Sequence, residues 1–423
     1  PPRSTQGVSS AASDVYKRQL NNNPLDFSGG AAASGGVFET GGMVTLDGMT
    51  FDEKSTIKLT SDSSLSSLNP VTLKTVEMGS YSMSLASQTT DLTITEVLNI
   101  NPSDDHEGGI GTGTADLTLN GPLNVQAGGI SSSGGTITFG AGSNGSSFAG
   151  NTGMPLTDTN LVMQTDLDIS ILKLSGTSLL QTNGNTLTPD LLEIGIDSEL
   201  DFTDIATSET TLILTGDSNI TKTGELILKR IDIDGYTLTL NNVITSLTAD
   251  DINLTSYDSN SANYQANTGR LLAQGVEVTL RKDLNLHKGT IEMGGGILNL
   301  EQGVHLSQDG VLDVSNGVLA LSGPFYNNGG TLTTSASTLR LNSNVKFEPR
   351  SAVTFDTYEP NGWGLVLHGS NSHLTLGGDV TLEPNAESLT SGFVNNYYPA
   401  TVSYTHLRAH ETRHDLVCRL LLE

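Results

Sequence analysis

The chain has 423 residues, 20 Lys and Arg against 46 Asp and Glu, a formal net charge of −26 and one cysteine. So acidic a surface repels nucleic acid and anionic lipid heads, and a lone cysteine excludes a disulfide framework and a cysteine-ligated metal site. Helix formers are sparse while Leu, Ile and Val are plentiful, which excludes a helical protein and a disordered tract, and no apolar run approaches the roughly 18 residues needed to span a bilayer.

The two ends differ from the rest. Residues 9–19, Ser-Ser-Ala-Ala-Ser-Asp-Val-Tyr-Lys-Arg-Gln, resemble the translation of one arm of a transposase-based sequencing adapter, and 402–412, Val-Ser-Tyr-Thr-His-Leu-Arg-Ala-His-Glu-Thr, resemble the opposite arm. The codons AGATGTGTATAAGAGACAG that close the first run are the reverse complement of a reading that spans Thr401 to Leu407. Residues 1–19 and 402–423 are therefore read as translated adapter, with 1–19 disordered, and set aside from fold reasoning. They hold six basic residues (Arg3, Lys17, Arg18, Arg408, Arg413, Arg419) against four acidic ones (Asp14, Glu411, Asp415, Glu423), and removing them takes the charge to −28. Cys418 goes with them, and the remaining 20–401 reads as an internal fragment of a longer reading frame.

The first stretch, 20–160, is irregular. Gly29–Gly36 and Gly140–Ser147 look like loops leaving the main fold, and short apolar bursts recur at Ile57-Lys58-Leu59, Leu92-Thr93-Ile94, Leu117-Thr118-Leu119 and Ile137-Thr138-Phe139. From 161 to 401 the bursts become regular. Leu212-Ile213-Leu214, Leu226-Ile227-Leu228, Leu238-Thr239-Leu240, Ile252-Asn253-Leu254 and Leu339-Arg340-Leu341 alternate with a period of two and are punctuated by Gly, Asn, Asp or Ser. Their last inward residues fall at Leu280, Leu286, Met293, Leu300, Leu306, Val314 and Leu321, in steps of six to eight. Three such steps make a coil of about 21 residues. This predicts an all-β fold, a right-handed parallel β-helix (β-solenoid) with about three short strands per coil.

The physical logic is that one coil cannot bury its aliphatic side chains alone. Stacking coils at about 4.8 Å pairs every strand with those above and below. Glycines at Gly294-Gly295-Gly296 and Gly329-Gly330 suit corners that need positive φ. Asparagines at Asn241-Asn242 and Asn327-Asn328 are expected to stack into hydrogen-bonded corner ladders. The competing fold is an antiparallel β-sandwich array, which calls for longer strands, more core aromatics and two-residue hairpin turns. No helix and no domain boundary stand out.

Candidate chemistry is thin. Asp232 and Asp234, and Asp166 and Asp168, alternate with apolar residues and point outward, while Asp104-Asp105 and Asp250-Asp251 fall in expected loops. Such pairs serve acid–base chemistry on a sugar or bind calcium, but equally make a solvated strand face. Gly108–Gly113 begins like a calcium-binding nonapeptide with Gly where Asp is required. Outside the adapter runs the histidines are His106, His287, His305, His368 and His373, and His368 and His373 are placed to meet on neighbouring strands. Among aromatics, Trp363 in Tyr358-Glu359-Pro360-Asn361-Gly362-Trp363 offers a glycan contact with Tyr358, and Tyr397-Tyr398 follows it; the competing role is a loop that packs its one Trp against the coil.

Repeats such as Gly289-Thr290-Ile291-Glu292-Met293, Gly310-Val311-Leu312-Asp313-Val314 and Gly330-Thr331-Leu332-Thr333-Thr334 resemble those of bacterial β-solenoid surface proteins, the autotransporter passengers and filamentous-haemagglutinin-like adhesins. The resemblance covers most of 160–385. It implies an extracellular or outer-surface location and contact with host or neighbouring cells, glycans or matrix, with no nucleic acid and no membrane insertion in this segment. The expected role is a non-catalytic stalk or adhesin without catalytic or metal residues and without a cofactor, calcium-dependent rigidity of the coil being a further option. The alternative is a polysaccharide lyase or hydrolase on the same kind of coil. The roughly 14 scattered basic residues outside the adapter runs disfavour a lyase that must neutralise an acidic sugar.

Overall fold

A computed structural model describes residues 25–408, except 27–30, 34–35, 46–48, 52–54, 87–88, 90, 101–107, 145, 149–152, 196–198, 202–204, 206, 222–223, 241–243, 256–267, 370, 382–391 and 396–400. The protein is all-β, with parallel sheets stacked as a β-solenoid of about 14 turns and about 20 residues per turn. The sandwich alternative is thereby set aside. Among the described residues the antiparallel pairing is confined to an isolated bridge between Ser307 and Gly329. Two compact units are present, one of Pro1–Glu193 with Asp204–Ala206 and one of Ile194–Thr203 with Thr207–Glu423.

In the first unit the core is a set of vertical ladders. Val71, Leu92, Leu117, Ile137, Leu161 and Leu180 follow one another in register, each about one coil after the last. All six are buried. Hydroxyls take the corners. Thr159 Oγ1 donates to Ser132 Oγ at 2.9 Å, and Thr159 N donates to Ser178 Oγ at 3.2 Å. These bonds satisfy buried polar groups where the chain turns between strands. The glycine-rich stretches read as departing loops behave differently from that expectation. Ala31–Ala33 is a strand paired in parallel with Met49–Phe51. Ala141–Ser143 is a 3₁₀ turn pinned by a bond from Ser143 Oγ to Leu119 O at 2.6 Å. A Cβ at Gly142 would lie 1.9 Å from Asn120 O, so glycine is there to let the turn hug the coil.

The second unit has three faces per coil. On the first, Leu226, Leu247, Val278, Leu298, Leu319, Leu339 and Tyr358 form one ladder. On the second, Leu284, Val304, Phe325, Phe347 and Leu367 form another. Phe325 and Phe347 pack at 5.0 Å between centroids, and Phe347 meets Phe355 edge-on at 6.4 Å. On the third, Ile291, Leu312 and Leu332 align. The inward positions read from the sequence (Leu280, Leu286, Met293, Leu300, Leu306, Val314 and Leu321) are all buried.

The corner into the first face is one repeated turn. Val276 N donates to Ala273 O, Gly296 N to Met293 O and Gly317 N to Val314 O, at 2.9–3.0 Å. The first two turns hold two successive left-handed residues, Gln274-Gly275 and Gly294-Gly295, with φ of 50°, 91°, 56° and 94°, whereas the third holds one, Asn316, with φ of 58°. The strand Ile244–Asn253 bends at a corner, so Ala249 and Ile252 face inward while Asp250 and Asp251 both face outward. These two aspartates therefore lie in a strand, not in the expected loop. The Asn327 expectation also changes. Asn327 sits inward in register with Leu306, and its Oδ1 accepts from Gly329 N and Gly330 N instead of stacking on another asparagine. Thr401–Arg408, part of which was read as adapter, pairs in parallel with His373–Thr381. Residues 1–19, 409–423, Asp104-Asp105, His106, Asn241-Asn242 and Tyr397-Tyr398 lie outside the described residues.

Candidate functional site

The two aromatic residues singled out for a glycan contact part company. Tyr358 is 4% exposed and fills the inward position that Leu339 holds one coil earlier. Burial pushes its phenol pKa up, and its ring is closed to a sugar. It has the alternation of an inward residue because Thr357 and Glu359 on either side face out. Trp363 is half-buried at the corner before strand Gly364–Leu367, with its backbone N–H donating to Pro360 O at 2.8 Å. Of the pair, only Trp363 is partly exposed.

The acidic pairs are engaged within the coil. Asp166 Oδ1 accepts from Thr186 N at 2.7 Å, one coil later, and Asp168 beside it is exposed. Asp232 receives Arg230 Nε at 2.9 Å; burial pushes its carboxyl pKa up and Arg230 opposes that shift. Asp234 is a turn residue with φ of 51°, so it does not continue the strand face of Asp232. Asp251 stands in register with Arg230, and Arg281 lies 3.8 Å from Asp250. Gly109–Gly111 is a strand in register with Gly129–Ser131, and a Cβ at Gly128 would lie 1.5 Å from Gly108 O. Close stacking of backbone explains those glycines. Among the described residues no group of three or more His, Cys, Asp or Glu is placed to hold a metal ion.

His368 and His373 belong to different faces. His368 follows the strand paired with Val345–Glu348, and His373 opens the strand paired with Ala352–Phe355. His368 Nδ1 instead meets Glu348 Oε2 at 3.1 Å.

Glu348 is the centre that sequence reading missed. Its side chain is 8% exposed, and it gathers Arg350 Nε at 2.7 Å, His368 at 3.1 Å and Lys346 Nζ at 3.8 Å. Burial pulls its pKa up, but the hydrogen bonds from Arg350 and His368 and their charges outweigh this and hold it below the usual glutamate value. A buried carboxylate is tolerated only with such partners. Lys346 Nζ also lies 5.0 Å from the centre of the Tyr326 ring, and His305 stacks on that ring at 5.2 Å and 18°. One coil further back, His287 Nδ1 meets Ser307 Oγ at 2.8 Å. The local run Lys346-Phe347-Glu348-Pro349-Arg350 is legible as alternating charge. Its partner His368 is reached only by adding one coil period to Glu348.

Scans of protein-family profiles, curated proteins and solved structures find no match to this chain. Among the described residues no helix is long and apolar enough to cross a membrane.

Proposed function

We propose that this chain is part of a secreted or cell-surface protein and acts as a stalk or adhesin. The observation that carries the reading is the core itself. A single ladder runs in register from Leu226 to Tyr358 without a break, so each coil is stabilised mainly by its neighbours, as suits a rod that holds other parts at a distance. The excess of carboxylates keeps such a surface soluble. The test coats beads with the full chain and measures their adhesion to cultured cells and to immobilised glycans. Retention above that of beads coated with an unrelated acidic protein supports the reading, and equal retention overturns it.

A second reading, a polysaccharide-degrading enzyme, is favoured by the buried Glu348 beside His368. Incubation with uronate polymers distinguishes it: release of unsaturated or shortened products overturns the purely adhesive reading.

A further inference from the structure

We propose that the second face of coils 284–368 binds a glycan carrying an isolated carboxylated sugar, with Lys346 and Arg350 as the groups that receive the carboxylate. This rests on the adhesin reading and names the ligand class of one face. The outward positions of that face are Asn285 and His287, His305 and Ser307, Tyr326 and Asn328, Lys346, and Val366 with His368 beyond it. None is acidic. In a chain of net charge −26 this is an exception. Glu348, at the end of this face, is buried and already committed, while Glu292 and Asp313 belong to the third-face part of the same strands. Asp283, Glu301 and Asp309 stay at the corners, where Asp283 accepts Gly303 N at 2.7 Å.

Glu348 positions the two cations from below while leaving them accessible. The Arg350 side chain is 54% exposed and that of Lys346 37%. Tyr326 is bracketed by His305 from the coil before and Lys346 from the coil after, so it acts as a spacer that fixes Lys346 and offers its hydroxyl, not its ring face. Ser307, Asn328 and the Tyr326 hydroxyl supply donors and acceptors for sugar hydroxyls. The whole-chain charge then selects among acidic ligands. A densely charged polymer is repelled by the surrounding carboxylates, whereas a single carboxylate pays that repulsion once and gains a charge-assisted contact with Lys346 and Arg350.

The experiment titrates the full chain with 3′-sialyllactose, with lactose and with a heparin oligosaccharide. Sialyllactose is expected to bind more tightly than either of the others. Lys346→Gln is expected to weaken it by about tenfold or more, Lys346→Arg to retain it, and Lys229→Gln, at an exposed cation several coils earlier in the same unit, to leave it unchanged. The proposal is overturned if sialyllactose binds no better than lactose, if heparin binds best, or if Lys346→Gln binds like the parent. A melting curve on each variant separates unfolding from lost contact, and retained binding by Lys346→Arg covers the case in which Lys346→Gln is destabilised. If beads coated with Lys346→Gln adhere as well as the parent, this face is wrong and the adhesin reading stands. If parent beads adhere to nothing, it is the adhesin reading that falls.

Discussion

The Asp217 carboxylate accepts the backbone N–H of Thr237 at 2.7 Å, one coil later in the chain. The same bond recurs from Asp62 to Ser82, Asp116 to Thr136, Asp166 to Thr186 and Asp283 to Gly303, and Asn344 does it for Gly364. Each caps the first N–H of a strand or corner that has no ladder partner. Part of the acidic surplus is thus a structural device, used at five aspartates, each of which ties its own coil to the next. Asp217→Ala is expected to lower stability by a few tenths to about 1 kcal/mol, because the bond is exposed and water replaces it. Asp217→Asn keeps an acceptor and should cost less. Urea unfolding of both variants checks this, and an equal loss from the two would mean that charge rather than the hydrogen bond matters.

Leu300 and Thr239 lie on opposite sides of the same kind of strand. Leu300 is 1% exposed in a ladder between Leu280 and Leu321, while Thr239 faces outward in strand Thr237–Leu240. Leu300→Asp puts a carboxylate among aliphatic groups with no partner and should cost several kcal/mol. Thr239→Asp should change stability by about 0.5 kcal/mol or less. Similar midpoints for the two variants would refute the assigned alternation.

The period-two bursts and their spacing made the ladders legible, because inward Leu, Ile and Val repeat whatever the loops do. Leu280 through Leu321 needed only the sequence. Two kinds of residue escaped. Asp250 and Asp251 looked like loop residues because a strand that bends at a corner places two neighbours outward, which breaks the alternation. Tyr358 looked like a surface ring because its place in the ladder is visible only from Leu339 one coil before. Glu348 and His368 escaped for the same reason: their contact is a matter of register between coils, and short-range pattern does not carry register.

Gly296 shows what the corners demand. A Cβ there would lie 2.2 Å from Val276 O, a backbone atom held in the stack. Gly296→Ala should therefore cost about 1–3 kcal/mol, since the coil spacing must open to admit a methyl group. A neutral result would show that the corner yields locally. Gly184, where a Cβ meets nothing within 4 Å but φ is +80°, is the comparison: Gly184→Ala meets only the strain of a left-handed backbone and should cost about 1 kcal/mol. Thermal unfolding of the two variants ranks steric against conformational cost.

Glu348 should give the fold an acid-sensitive term. Its pKa in the folded chain lies below the ordinary value of 4.5, so the folded state holds the charged form more strongly than the unfolded chain does. The stabilisation is complete above the unfolded value and is lost as the pH falls through the lower folded value. Asp158 has the same sign: the N–H of Thr177 at 2.9 Å and then the Thr177 hydroxyl lower its pKa from 3.8. Asp232 has the opposite sign, because burial raises its pKa, and it favours the folded state more as the pH drops. Stability measured by urea unfolding between pH 6 and pH 3 should therefore fall less steeply in Glu348→Gln than in the parent, and more steeply in Asp232→Asn. If Glu348→Gln keeps the parental slope, the cluster of Lys346, Arg350 and His368 contributes nothing to acid sensitivity.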